Sequence, residues 1–196
     1  MQDIDLARWL LDHGMNPTAG SIPSSTPHSI GENGDSKGYL LYFASISSSL
    51  ETFKLFQSRG ANLEYSHALH GAAGPGGPSQ IPIIRHLLDG EYLDVNELDI
   101  YHIPHTGTPL MAAITGGYAE VVRVLLEYGA NPYASRKSPF EATAMSMAQG
   151  LAHRDAETSK EIVAMLTEAM ANWDGDPRDA PVSFLAPFPN RNTVGI

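Results

Sequence analysis

The sequence predicts an all-α solenoid of stacked helix-turn-helix units with long inter-repeat fingers, and three observations carry that expectation. First, three segments end alike: Trp9-Leu10-Leu11-Asp12-His13-Gly14-Met15-Asn16, Leu55-Phe56-Gln57-Ser58-Arg59-Gly60-Ala61-Asn62 and Leu125-Leu126-Glu127-Tyr128-Gly129-Ala130-Asn131. Second, Gly60 and Gly129 lie 69 residues apart, two units of roughly 33 residues. Leu87-Leu88-Asp89-Gly90, followed by Asp94-Val95-Asn96, supplies the copy between them with a lengthened turn. Third, Val121, Val122, Leu125 and Leu126 recur at the spacing of a helix that buries one face.

The clearest unit runs Gly107-Thr108-Pro109-Leu110-Met111-Ala112-Ala113-Ile114-Thr115-Gly116-Gly117-Tyr118 and on through Ala119-Glu120-Val121-Val122 to Asn131-Pro132. Thr108 can cap a helix whose first position suits Pro109, because the missing N–H of proline is no loss there. Gly116-Gly117 breaks that helix, Gly129 ends the next one in the left-handed region, and Asn131 can bond the turn backbone. These residues resemble the ankyrin repeat and its Thr-Pro-Leu-His-x-Ala signature. The departures are Met111 and Tyr118, at two positions where the family usually has histidine.

In chain order, a half-repeat spans 1–16, where Asp5 to Leu11 matches a second helix with no first helix before it. A Ser-, Pro- and Gly-rich insertion fills 17–38. Full or nearly full repeats follow at about 39–62, 67–96, 107–131 and 143–170, so the repeat domain covers 1–172. The unit at 39–62 has no Thr-Pro cap. The unit at 67–96 keeps Leu69-His70-Gly71-Ala72-Ala73 and then inserts Gly74-Pro75-Gly76-Gly77-Pro78. That glycine-rich stretch lacks the Lys-Ser/Thr of a phosphate loop, and its prolines remove N–H donors, so a lengthened inter-helix connection is expected. A Pro-rich tail, 173–196, carries apolar Val182, Phe184, Leu185 and Phe188 and is expected to fold back over the last repeat.

Composition narrows the partners. The 196 residues hold 12 Lys+Arg against 22 Asp+Glu, a net charge of −10. Such a surface repels nucleic acid and anionic membranes and attracts a basic protein surface. Cysteine is absent, which excludes disulfides and thiolate chemistry. No stretch of about eighteen apolar residues is present, and the N-terminus is acidic where a secretory signal is basic. The expectation is an intracellular protein, cytoplasmic or nuclear.

No nucleophile elbow, His-Glu-x-x-His or dinucleotide fingerprint occurs, so no catalytic residue and no cofactor is assigned. Two His-x-x-His pairs, His67/His70 and His102/His105, suggest zinc with Asp99 as a third ligand. Against this, His102 and His105 flank Pro104 in a finger, and His70 occupies the family's structural histidine position. No metal ligand is therefore assigned. The resemblance implies binding through finger tips and first helices, and by register the tips carry Tyr65, His67, Asp99, Tyr101, His102, His105, Tyr133, Arg136 and Lys137. Tyrosine and arginine are the types that anchor interfaces. The leading reading is a protein–protein interaction module. Alternatives are a small-molecule binder or acid–base enzyme with a pocket under the 96–106 finger, and a scaffold that self-associates through the half-repeat.

Overall fold

A computed structural model of the chain describes residues 3–18, 39–63, 66–98, 107–136 and 141–183. Its helices are α1 (Asp3–Asp12), α2 (Tyr39–Ser47), α3 (Leu50–Ser58), α4 (Ala68–Gly71), α5 (Ile81–Asp89), α6 (Pro109–Gly116), α7 (Ala119–Glu127), α8 (Ala144–Gly150) and α9 (Ala156–Ala171). They pair within a repeat and stack between repeats in two rows. First helices α2, α4, α6 and α8 touch in sequence, and second helices α1, α3, α5, α7 and α9 do the same alongside them.

Local chemistry sets these boundaries. Thr108, extended at φ −90°, accepts from the Met111 N–H at 3.4 Å, and Pro109 opens α6. Thr143 caps α8 in a reciprocal box with Ser146, and Asp155 accepts from the N–H groups of Glu157 and Thr158 at the start of α9. The hydroxyl and N–H of Thr158 hold the Asp155 carboxyl below its ordinary value. At the head of the stack, Asp3 accepts from the Ser49 N–H at 3.0 Å, joining α1 to the start of α3. That bond holds the Asp3 carboxyl low as well.

The recurring ends seen in the sequence share one geometry. Met15, Ala61 and Ala130 each donate to the carbonyl five residues earlier, and the residue before each donor is a glycine at φ +82° to +94°. The third copy departs from the sequence reading. Tyr92 makes the same bond to Leu87, but the left-handed residue is Glu91 at φ 52°, and Gly90 stays helical. The closing bond spans the same five residues as in the other copies, so the left-handed position falls one step past the glycine.

The glycine-rich insertion is helical as well. Ala72–Gly76 forms a π turn and Gly77–Gln80 a 3₁₀ turn between α4 and α5. A methyl group on Gly71 would meet the Ser45 hydroxyl and the Tyr42 carbonyl oxygen, the latter at 3.0 Å, and one on Gly74 would meet the Ala112 methyl at 3.2 Å. Gly71 therefore sets how closely α4 approaches α2, and Gly74 how closely the π turn after it approaches α6. Leu41, Phe53, Leu69, Ile83, Ile84, Leu87, Leu110, Ile114, Leu125, Ile162 and Leu166 fill the space between the rows and are fully buried. Each contributes roughly 1.5–3 kcal/mol of transfer free energy.

Three two-residue strands depart from the all-helical expectation. β1 (Ser135–Arg136) pairs antiparallel with β2 (Ala142–Thr143) and parallel with β3 (Val182–Ser183), which brings the tail alongside the last finger. Phe184, Leu185 and Phe188 lie outside the described residues.

Polar pairs bridge successive second helices: Arg59–Asp12, His86–Gln57, Arg85–Glu127 and Arg123–Glu161. The three arginine pairs are about half exposed and contribute at most about 1 kcal/mol each. His86 donates from Nε2 to the Gln57 amide oxygen at 2.7 Å. Burial, and secondly Lys54, push its imidazole below the ordinary histidine value.

Two tests follow from these features. At Gly129 an added methyl touches nothing within 4 Å, so Gly129→Ala costs backbone strain alone, about 1 kcal/mol, and lowers the thermal midpoint. Glu91→Gly raises it. For His86, the unfolded chain takes up a proton more readily than the fold does. Its contribution is therefore in place above about pH 6.5 and is lost as pH falls through the lowered value. Denaturant titrations from pH 8 to 5 are expected to show a shallower loss of stability in His86→Gln than in the wild type.

Candidate functional site

The first helices and the connections that lead into them hold the residues that the sequence resemblance offers for partner binding. α2 presents Phe43, which is 57% exposed although it sits one residue from buried Tyr42 and Ala44. Its ring packs edge-on against Tyr42 at 5.4 Å. α4 is buried throughout, α6 exposes Thr115, and α8 exposes Ser146 and Gln149. An asparagine ladder ties successive turns together. The Asn131 N–H donates to Asn96 Oδ1 at 2.7 Å, and Asn96 Nδ2 donates to the Gly129 carbonyl at 3.4 Å.

Of the tip residues expected from register, Tyr65, Asp99, Tyr101, His102, His105 and Lys137 lie outside the described residues, as does a pocket beneath the 96–106 finger. Tyr133 is half-buried, and its hydroxyl donates to the Met170 carbonyl at the end of α9 at 3.4 Å. Arg136 is half-buried in β1. Both therefore pack partly against the end of the stack rather than projecting freely. His67 differs from the expectation of an exposed tip. It is 6% exposed, because a left-handed φ of 49° at the start of α4 turns the chain inward there.

That turn brings His67 beside His70, ring centroids 5.5 Å apart and edge-on. The His70 Nε2–H donates to the Gly107 carbonyl at 2.9 Å, and Nδ1 lies 3.2 Å from Glu97 Oε1. One imidazole thus connects the first helix of its own repeat, the segment after α5 and the residue before Thr108. The structural role implied by the resemblance accounts for the Gly107 contact. Glu97 was missed in the sequence, which pointed to Asp99, because a lengthened turn hides which carboxylate swings back to the helix. Phe43 was missed because its neighbours Leu40, Leu41 and Tyr42 made the whole helix read as apolar core.

Open grooves run between second helices. One of about 390 Å³ lies between α3 and α5, bordered by Lys54, Arg85, His86, Asp89 and Tyr92, and one of about 310 Å³ lies between α7 and α9. On α1, Leu6, Trp9 and Leu10 remain 37–55% exposed, and Trp9 stacks on His13 at 4.2 Å. Among the described residues no helix is long and apolar enough to cross a membrane.

A family model of ankyrin repeats in three copies matches residues 40–136. Among solved structures 78 chains match. One is the ankyrin repeat domain of Bcl-3, described as a unique member of the IkappaB protein family. It aligns with a TM-score of 0.53 at 18% sequence identity, over 84% of this chain and 78% of that one. At this identity the likeness is one of fold. No curated protein matches the sequence. The repeated helix ends, the two stacked rows, the family match and the structural likeness together identify the chain as an ankyrin-repeat protein, a repeat module of the protein-binding kind.

Proposed function

We propose that the chain is a non-catalytic interaction module that grips a protein partner of basic surface along its first-helix row and finger tips, inside the cell. The observation that carries this reading is Phe43, a large aromatic left 57% exposed on a first helix. Aromatic anchors of that kind dominate interface energetics. Electrostatics favours the same reading. The net charge is −10, while Arg59, Arg85 and Arg123 are already engaged with acids on neighbouring second helices. The remaining acidic excess steers a basic partner and disfavours nucleic acid and anionic membranes.

Capture from a lysate of the source cells at low and at high salt tests this. Proteins retained specifically are expected to be basic and to elute as salt rises. Phe43→Ala is expected to weaken their retention at least tenfold, about 1.4 kcal/mol. Retention unchanged in that variant, or unchanged between low and high salt, contradicts the assigned face.

A further inference from the structure

His67, His70 and Glu97 each bring one ligand atom within 4.8 Å of the others. The two histidines are buried and the Glu97 side chain is 20% exposed, so the cluster lies beneath the surface with one edge toward solvent. Donor atoms bound tetrahedrally at 2.0–2.2 Å stand roughly 3.3–3.6 Å apart. The 3.2 Å separation of His70 Nδ1 and Glu97 Oε1 is close to that spacing.

The His70 tautomer bears on the same contact. The Gly107 carbonyl can only accept, so the His70 proton sits on Nε2. In the neutral ring, Nδ1 then directs a lone pair at a carboxylate oxygen. Two lone pairs at that distance repel unless a proton or a metal cation lies between them. An imidazole oriented by N–H donation to a backbone carbonyl is the usual outer arrangement of a metal-binding histidine. Across from it, His67 is held at φ 49°. For a residue with a side chain that conformation costs about 1–3 kcal/mol, and here it sets the second imidazole beside the first.

We propose that His67, His70 and Glu97 form a site for one divalent cation of zinc type, with a fourth position open to water. Two imidazoles and one carboxylate are the donor set of open zinc sites. Calcium and magnesium would require six or more oxygen ligands. Occupancy would clamp α4 to the segment that follows α5, adding a cross-link beside the His70–Glu97 pair. The proposal is independent of which protein the module binds.

Calorimetric titration of the chelator-treated full chain with Zn²⁺ alone tests the site. One ion per chain is expected, together with a zinc-dependent rise in the thermal midpoint. Glu97→Gln is expected to weaken binding at least tenfold, and His67→Asn to remove it. Asparagine tolerates the left-handed conformation, so that variant deletes the ligand and keeps the turn. A double variant, His102→Ala with His105→Ala, is expected to bind as the wild type does. No binding in the wild type, binding that survives in both site variants, or loss confined to the double variant overturns the site and leaves His70–Glu97 a hydrogen-bonded pair. Should a site variant lose its helical circular dichroism, Co²⁺ added to the wild type decides. Intense visible bands of a tetrahedral ion support the site, and the weak spectrum of an octahedral ion overturns it.

Discussion

Gly71 and Gly74 fix how closely α4 and the π turn after it approach α2 and α6, and much of the stack follows from that spacing. Around them the first row is lined with Ala44, Ala68, Ala72, Ala112, Ala113, Ala144 and Ala148, all buried. Small residues let backbones come together, and the larger Leu41, Leu69, Leu110 and Ile114 fill the seam between the rows. Because each repeat buries its face on the next, a change in spacing at one crossing is passed along the row. The Thr108 cap, the His70–Gly107 bond and the asparagine ladder then hold the connections in register with the helices they enter.

Much of this fold was legible in the sequence because its signals are local. Gly14, Gly60 and Gly129 mark helix ends, Thr108-Pro109 and Thr143 mark helix starts, and Val121 to Leu126 marks a buried stripe. What stayed hidden depended on chain geometry between units. At residues 87–92 the glycine pattern pointed to Gly90, whereas the capping bond selects Glu91, since the closing contact and not the residue type decides the position. The run 74–78 read as a loop, yet its backbone continues through π and 3₁₀ turns. The short strands of the last finger, with the tail beside them, carry too few residues for an alternating pattern to show.

The candidate functional residues were harder to read for a related reason. Register with the family puts His67 at a tip, but its left-handed backbone folds the ring beneath the surface, beside His70 and Glu97. The sequence offered Asp99 as a carboxylate for such a cluster, two residues from the Glu97 that returns to His70. Exposure of Phe43 is likewise a property of the stack: nothing in Tyr39-Leu40-Leu41-Tyr42-Phe43-Ala44 distinguishes the position that faces outward. The acidic excess, by contrast, was plain in the composition. The structure adds that the second-row arginines are already committed to neighbouring helices.

Thermal and denaturant unfolding of Gly71→Ala tests the spacing of the first helices most directly. Alanine is the better helix former by about 1 kcal/mol, so a loosely packed crossing would leave the variant as stable as the wild type or more so. Contact with the Ser45 hydroxyl and the Tyr42 carbonyl instead predicts a net loss of roughly 1–3 kcal/mol. An unchanged or higher midpoint would contradict small-residue packing as the constraint on which the stack is built.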